Sequence, residues 1–175
     1  DAETLSVDLE TTSIRPTEAE IVGYALACRP GKAWYVAVRA PEGQTSLDPD
    51  ETLEKLRPLL ENPEIKKVGQ NLKYDMVVLQ GAGLRLAGVH FDSMIASYLL
   101  EPGERNHNLD ELSQRLLGHT MIPITDVIGV AGRGKEQIRM DQAPVETVCR
   151  YAGEDADAAL RLTHLLAPKI AEMGL

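Results

Sequence analysis

At 175 residues with 43% hydrophobic side chains, the chain is long enough for one compact domain with a substantial core. Twenty-seven acidic against eighteen basic residues leave a net charge of −9, which argues against broad electrostatic attraction to nucleic acid. Only one Phe and one Trp are present, which argues against a base-stacking sheet, and no apolar run approaches a membrane span.

"TLSVDLE" (4–10) alternates apolar and polar residues and predicts a strand, with "TTSIRPTEAE" (11–20) following as turn or loop. "IVGYALACRP" and "KAWYVAV" predict two more strands around a tight "RPGK" turn. "DPDETLEKLRPLLENP" (48–63) predicts an amphipathic helix opened by acids and closed near Pro63. "IKKVGQ" is a short fourth strand, after which Asn71 is a plausible N-cap for a helix through "LKYDMVVLQGA". "LAGVHFD" supplies a fifth strand, and helices are expected over 93–101, 108–117 and 145–171, with a loop around 119–140. The order of elements predicts a mixed α/β sheet covered by helices, with no repeat or linker. Cys28 and Cys149 lie within apolar patterns and match no metal spacing, so they read as reduced core thiols of a cytosolic protein. The first residues lack the pattern of a signal peptide, and the absence of an initial Met reads as a piece of something longer.

On a helical wheel, Val145, Val148, Cys149, Ala152, Ala156, Ala159, Leu162, Leu166 and Ala167 share one half. Glu146, Arg150, Glu154, Asp157, Arg161 and His164 fall on the other, where solvent is expected. Asp155 sits inside the apolar half, one turn from Tyr151. On this helix alone, an acid at the rim of the arc or one paired with a distant base is the commoner reading; a metal ligand or catalytic acid is the sharper one. Asp8 and Glu10 share a face of the first strand, roughly 7 Å apart along it, as they would on any half-exposed strand. Asp75 lies near the start of its helix, where a carboxylate is favourable in any case. Together, a strand-borne D-x-E, then N-x-x-Y-D after a strand, then a late helix with Y-x-x-x-D, form a more specific set than any of them alone.

Phosphodiester hydrolysis explains such a set. Two divalent cations about 3.5–4 Å apart can activate water on one side of the phosphate and stabilise the leaving oxygen on the other. Hard Mg²⁺ or Mn²⁺ takes carboxylate oxygens and water, so clustered acids without His or Cys suit it.

The motifs "DLETTS" (8–13), "VGQNLKYD" (68–75) and "YAGEDAD" (151–157), with "FDSMIASYLL" and "GRGKEQ", resemble the 3′–5′ proofreading exonuclease domain of bacterial family A DNA polymerase I, in the DEDD superfamily. The resemblance runs from about residue 4 to about residue 170. It implies a ribonuclease H-like fold with a five-stranded mixed sheet in the order 3-2-1-4-5, flanked by helices, as a single domain over 1–175. Tyr151, with Arg150 before it, marks the tyrosine variant. The resemblance implies that Asp8, Glu10 and Asp155 hold one metal, and that Asp8, with Asp75 through water, serves a second. Tyr151 would orient the attacking water, since a phenol with a pKa of about 10 is a poor base at neutral pH. Thr11, Ile14, Gln70, Asn71, Lys73, Tyr74 and Arg105 would bind the single-stranded 3′ end, with Ile14 where the family has a leucine against the terminal base.

The expected activity is removal of nucleoside 5′-monophosphates from single-stranded DNA ends by a monomer in the bacterial cytoplasm, at the nucleoid, joined to a polymerase domain. A related exoribonuclease and a degenerate exonuclease fold kept as a binding or structural module are the alternatives. "GVAGRGKE" (129–136) superficially fits a phosphate loop, but Glu136 stands where Ser or Thr must hold Mg²⁺. His90, His107, His119 and His164 show no ligand spacing, and "EPGER" reads as a surface turn.

Overall fold

Leu5, Val7 and Leu9 form an apolar row along the first strand, and the sheet extends outward from it on both sides. The computed structural model describes residues 3–132 and 137–175, so part of the 129–136 loop and most of "GRGKEQ" lie outside the described residues. β1 (Thr4–Thr11) pairs antiparallel with β2 (Ile21–Arg29), and β2 pairs antiparallel with β3 (Lys32–Ala37). On its other side β1 runs parallel to β4 (Lys66–Gly69), and β4 parallel to β5 (Val89–Asp92). The sheet order is β3-β2-β1-β4-β5, as the family resemblance implies, and with helices on both faces it is ribonuclease H-like. β2 and β3 are joined by a tight turn at Gly31, whose φ of 76° suits glycine, and β1 and β2 by the longer 12–20 loop. Each parallel step needs a helical crossover.

α1 (Pro49–Leu60) and α2 (Leu72–Gly81) cover one face, where Leu53, Leu60, Leu72, Val78 and Leu79 pack on Leu5, Val7, Leu9, Tyr24 and Leu26. α1 starts on Asp48, whose carboxylate accepts from the Glu51 amide at 2.8 Å. The opposite face is crossed by α6 (Val145–Glu172), with Ala152, Ala156 and Leu160 against Ala25, Ala27 and Val68. Alanines on both surfaces let this helix approach the sheet closely. α3 (Ser93–Leu100) and α4 (Leu109–Leu112, continued by a π-type turn over Ser113–Leu117) then pack on α6 through Ala96, Leu112, Leu162 and Leu166.

Several local expectations change. The expected 119–140 loop contains α5 (Ile124–Ile128) and a 3₁₀ turn at Met140–Gln142. Pro123 presets the entry to α5, and Val127 is buried with Val22, Met140 and Val148, so tertiary packing rather than periodicity stabilises it. β5 is shorter than expected, beginning at Val89. Both cysteines are free; Cys28 is half-buried and packs against the core, but Cys149 is exposed and is not a core thiol. Glu154 and Asp157 do not simply face solvent. Glu154 accepts from the Ile122 amide at 2.6 Å and pairs with His119 Nε2 at 2.8 Å, while Asp157 accepts from the Gly31 amide at 2.6 Å. His164 and the 101–105 turn are exposed, as expected.

Candidate active site

Ser6, Asp8 and Glu10 alternate onto the face of β1 that lies under α6, so this is not the half-exposed strand that two acids would ordinarily indicate. Ser6 and Glu10 are buried, and Asp8 is half-buried. The register of β1 against β2 shifts between Glu10 and Thr11, a local irregularity of the kind that re-aims a side chain. From α6, Asp155 meets the strand: Asp8, Glu10 and Asp155 each offer an oxygen, and the three atoms lie within 4.8 Å of one another.

Asp75 arrives from the other side of β1. The parallel ladder between β1 and β4 extends only to Ser6 and Val68, because β4 stops at Gly69. The first turn of α2 takes its place, and Asp75 Oδ1 accepts from the Leu9 amide at 3.0 Å, between the two acids of the strand. Asn71 occupies the N-cap position of α2 but does not cap it with its side chain; its backbone is left-handed, with φ of 58°. Asp92 does the capping instead, accepting from the Leu72 amide at 2.8 Å and the Asn71 amide at 3.1 Å while also capping α3 through Met94 and Ile95. A cap supplied from 20 residues away leaves no local pattern to read.

The cluster is electrostatically costly by itself. Burial pushes Asp8 up to about 6. It pushes Asp155 up to about 9, reinforced by the charge of Asp8 and opposed by the nearby Tyr151 hydroxyl. Glu10 and Asp75 are held well above the usual carboxylate range, first by burial and then by neighbouring acids. Tyr151 is raised above an ordinary phenol by burial, then by Asp155, Glu10 and Asp8. All the donors are hard oxygens and all are pushed towards protonation, so the residues fit a divalent cation, which would favour their charged forms.

A groove of about 510 Å³ leads away from Glu10, lined by Thr11, Ile14, Asn71 and Tyr74 among the expected substrate residues. Ile14 is 94% exposed at its mouth, an apolar side chain with almost no protein contact. The Tyr74 hydroxyl is held by Thr11 Oγ1 at 2.5 Å and by the Ser13 carbonyl, which fixes the loop after β1. Gln70 is engaged at both ends of its amide, by the His107 carbonyl at 2.8 Å and the Ser93 hydroxyl at 2.5 Å. Lys73 is exposed and reaches Asn71 Oδ1 and Met94 Sδ. Arg105 lies exposed in the turn after α3, outside the groove lining. The far wall was not foreseen: it comprises Ile124 and Ile128 of α5 with Gln137, Ile138, Arg139 and Met140. The neighbouring "GRGKEQ" was its one signal in the sequence. A larger cavity of about 950 Å³, between α1, α2 and the 83–89 loop, contains none of the clustered acids.

A ribonuclease H-like sheet with carboxylates gathered from β1, α2 and α6 defines a nuclease. The chain belongs to the 3′–5′ exonuclease family found in DNA polymerase I, whose model matches residues 1–171. It is 41% identical to DNA polymerase I of Pseudomonas aeruginosa over 97% of this chain and 19% of that protein. The chain spans about a fifth of the length of the curated relatives it matches, 17–19% for the first three. Solved structures share the fold at low identity. NrnC of Brucella melitensis bound to pGG superposes with a TM-score of 0.73 at 22% identity, over 99% of this chain and 76% of that one. The same protein with bound Mg²⁺ gives 0.71 at 21%, with the same coverage. Trypanosoma brucei RNase D in its GMP complex gives 0.71 at 17%, over 94% and 51%.

Proposed function

We propose that this chain removes nucleoside 5′-monophosphates one at a time from the 3′ end of single-stranded DNA, using two divalent cations, Mg²⁺ or Mn²⁺. The observation that carries this is the convergence of Asp8, Glu10 and Asp155 within 4.8 Å at one end of an open groove. Asp8, Glu10 and Asp155 would hold one cation; Asp8, with Asp75 through water, would hold the other. When bound, the cations would activate a water on one side of the scissile phosphate and stabilise the leaving 3′ oxygen on the other.

The remaining work falls to the chain's own side chains. Tyr151, kept protonated by its surroundings, orients the attacking water rather than deprotonating it. Asp75, anchored on the Leu9 amide, keeps the backbone of β1 fixed between the two ligands it carries. Ile14 offers an apolar surface to the terminal base, and Tyr74 with Thr11 holds the loop that presents it. Arg139 is a cation of the far wall, held by Asp141 through its Nε at 2.9 Å and a second nitrogen, and with Lys73 and Arg105 it would supply positive charge to the strand. Gln70 and Asn71 shape the entry to α2.

The DNA polymerase I relatives favour DNA over RNA. Those relatives are about five times longer than this chain. A polymerase domain that delivers the primer end to a single nuclease domain would explain how a proofreading nuclease, monomeric in the bacterial cytoplasm at the nucleoid, works with a net charge of −9. The test is cleavage of a 5′-labelled single-stranded DNA oligomer in Mg²⁺, with an RNA oligomer in parallel. A ladder shortening from the 3′ end and release of deoxynucleoside monophosphates is the expected result. Faster cleavage of RNA would make it an exoribonuclease. Absence of cleavage in both Mg²⁺ and Mn²⁺, with metal affinity unaffected by Asp8→Ala, would leave a binding module.

A further inference from the structure

Tyr35 of β3 stands on the α6 face of the sheet, in the same cross-strand row as Ala25 and Asp8. Its ring leans over Gly23 of β2, which is the register partner of Glu10. A Cβ built on Gly23 would fall 2.3 Å from both Cζ and the hydroxyl oxygen of Tyr35, so only glycine leaves the ring this place. Gly23 does not have positive φ, and space alone accounts for the requirement. The Tyr35 hydroxyl thus lies against the backbone partner of a site carboxylate. It is buried and has no hydrogen-bond partner among the described residues. Burial raises this phenol above its ordinary value, and the Glu10 and Asp8 carboxylates add to the effect. The Tyr35 side chain packs against the apolar cluster of Val22, Val127, Met140 and Val148, as does Tyr151.

A buried hydroxyl without a partner is rare enough to call for a physical reason. A carboxylate that turns one oxygen to a cation keeps the other free to accept a hydrogen bond. We propose that Tyr35 is a positioning residue for the metal site, donating to the Glu10 carboxylate, directly or through one water, in the cation-bound state. Ligating carboxylates are held in this way by outer hydrogen-bond donors in many metal sites. Without a cation the hydroxyl has no acceptor and only detracts from stability; with one, it fixes the rotamer of Glu10. The inference rests on the metal-dependent reading above and assigns a function to a residue outside all three acid-bearing motifs.

Tyr35→Phe removes one oxygen and keeps the ring. The variant should melt about 2–4 °C higher than the parent without metal. Its Mn²⁺ affinity, measured by titration calorimetry, should fall about 10–100-fold. Turnover on single-stranded DNA should drop with it, while KM stays within about 2-fold, since the strand itself does not touch Tyr35. Mn²⁺ affinity equal to the parent's would overturn the proposal and leave the ring as packing. Lower melting of the metal-free variant would also overturn it, because the hydroxyl would then already be satisfied. Failure of the parent to cleave DNA would count against the exonuclease reading only, because the Mn²⁺ titration, with Asp8→Ala as the reference for a lost ligand, still decides the role of Tyr35.

Discussion

On α6, Asp155 has buried alanines at 152, 156 and 159, and burial raises its pKa to about 9. In the metal-free domain near neutral pH it is therefore protonated, and folding works against its ionisation. Asparagine has the same shape and no charge to lose. Metal-free Asp155→Asn should thus melt higher than the parent at about pH 8, by several degrees in a calorimetric scan. The same substitution removes a ligand oxygen. Losing an outer hydrogen-bond partner of a metal site already costs about 10–100-fold, so turnover should fall by at least about 100-fold. A variant both less stable and fully active would contradict the assignment of Asp155. Tyr151→Phe should be milder, with turnover falling about 100-fold at most and metal affinity unchanged, because the phenol orients water rather than ligating metal.

The site depends on elements whose ends are tied by side chains remote in sequence. Asp92 accepts from amides at the start of both α2 and α3 and so sets the position from which Asp75 reaches β1. Asp92→Ala removes a helix cap and leaves part-buried amides unpaired, and should cost about 2–3 kcal/mol in urea unfolding. Turnover should fall with it as Asp75 shifts. Glu154 acts on the groove. Its two oxygens hold His119 and the Ile122 amide just before α5, whose Ile124 and Ile128 line the far wall. Glu154→Gln should raise KM for single-stranded DNA severalfold with a smaller change in turnover, read from steady-state kinetics. These ties also mark where the sequence stops being legible. On α6 the helical period exposes Asp155 as a misplaced acid, whereas alternation along β1 only places Asp8 and Glu10 on one face, and those two stand out only together with the later motifs. α5 spans only Ile124–Ile128, too short for a period to show, and Asn71 reads as the cap because the residue that caps α2, Asp92, lies beyond that helix at the end of β5.

Across the whole molecule, the sheet order and the gathering of acids followed from the family resemblance, while the position of Asp75 on the Leu9 amide and the far wall of the groove needed the fold. Periodicity states which face a residue takes, but not which distant backbone it meets. One property of the folded domain follows from the acids together. Asp8 is raised to about 6, Asp155 to about 9, and Glu10 and Asp75 are raised as well. A carboxyl whose folded-state pKa lies above its unfolded value of about 4 makes the folded state bind more protons than the unfolded one. Its contribution is fully present below the unfolded value and is lost as pH rises through the folded one. The metal-free domain should therefore lose stability as pH rises from about 4 through 6 and on towards 9, opposite to the acid destabilisation of a protein whose carboxylates are paired. Mg²⁺ should reverse the trend, since it binds only deprotonated acids and binds better as pH rises. Melting temperatures taken across that range, with chelator and with excess Mg²⁺, should diverge progressively towards alkaline pH. Parallel curves would mean that the clustered acids are not where the cation is held.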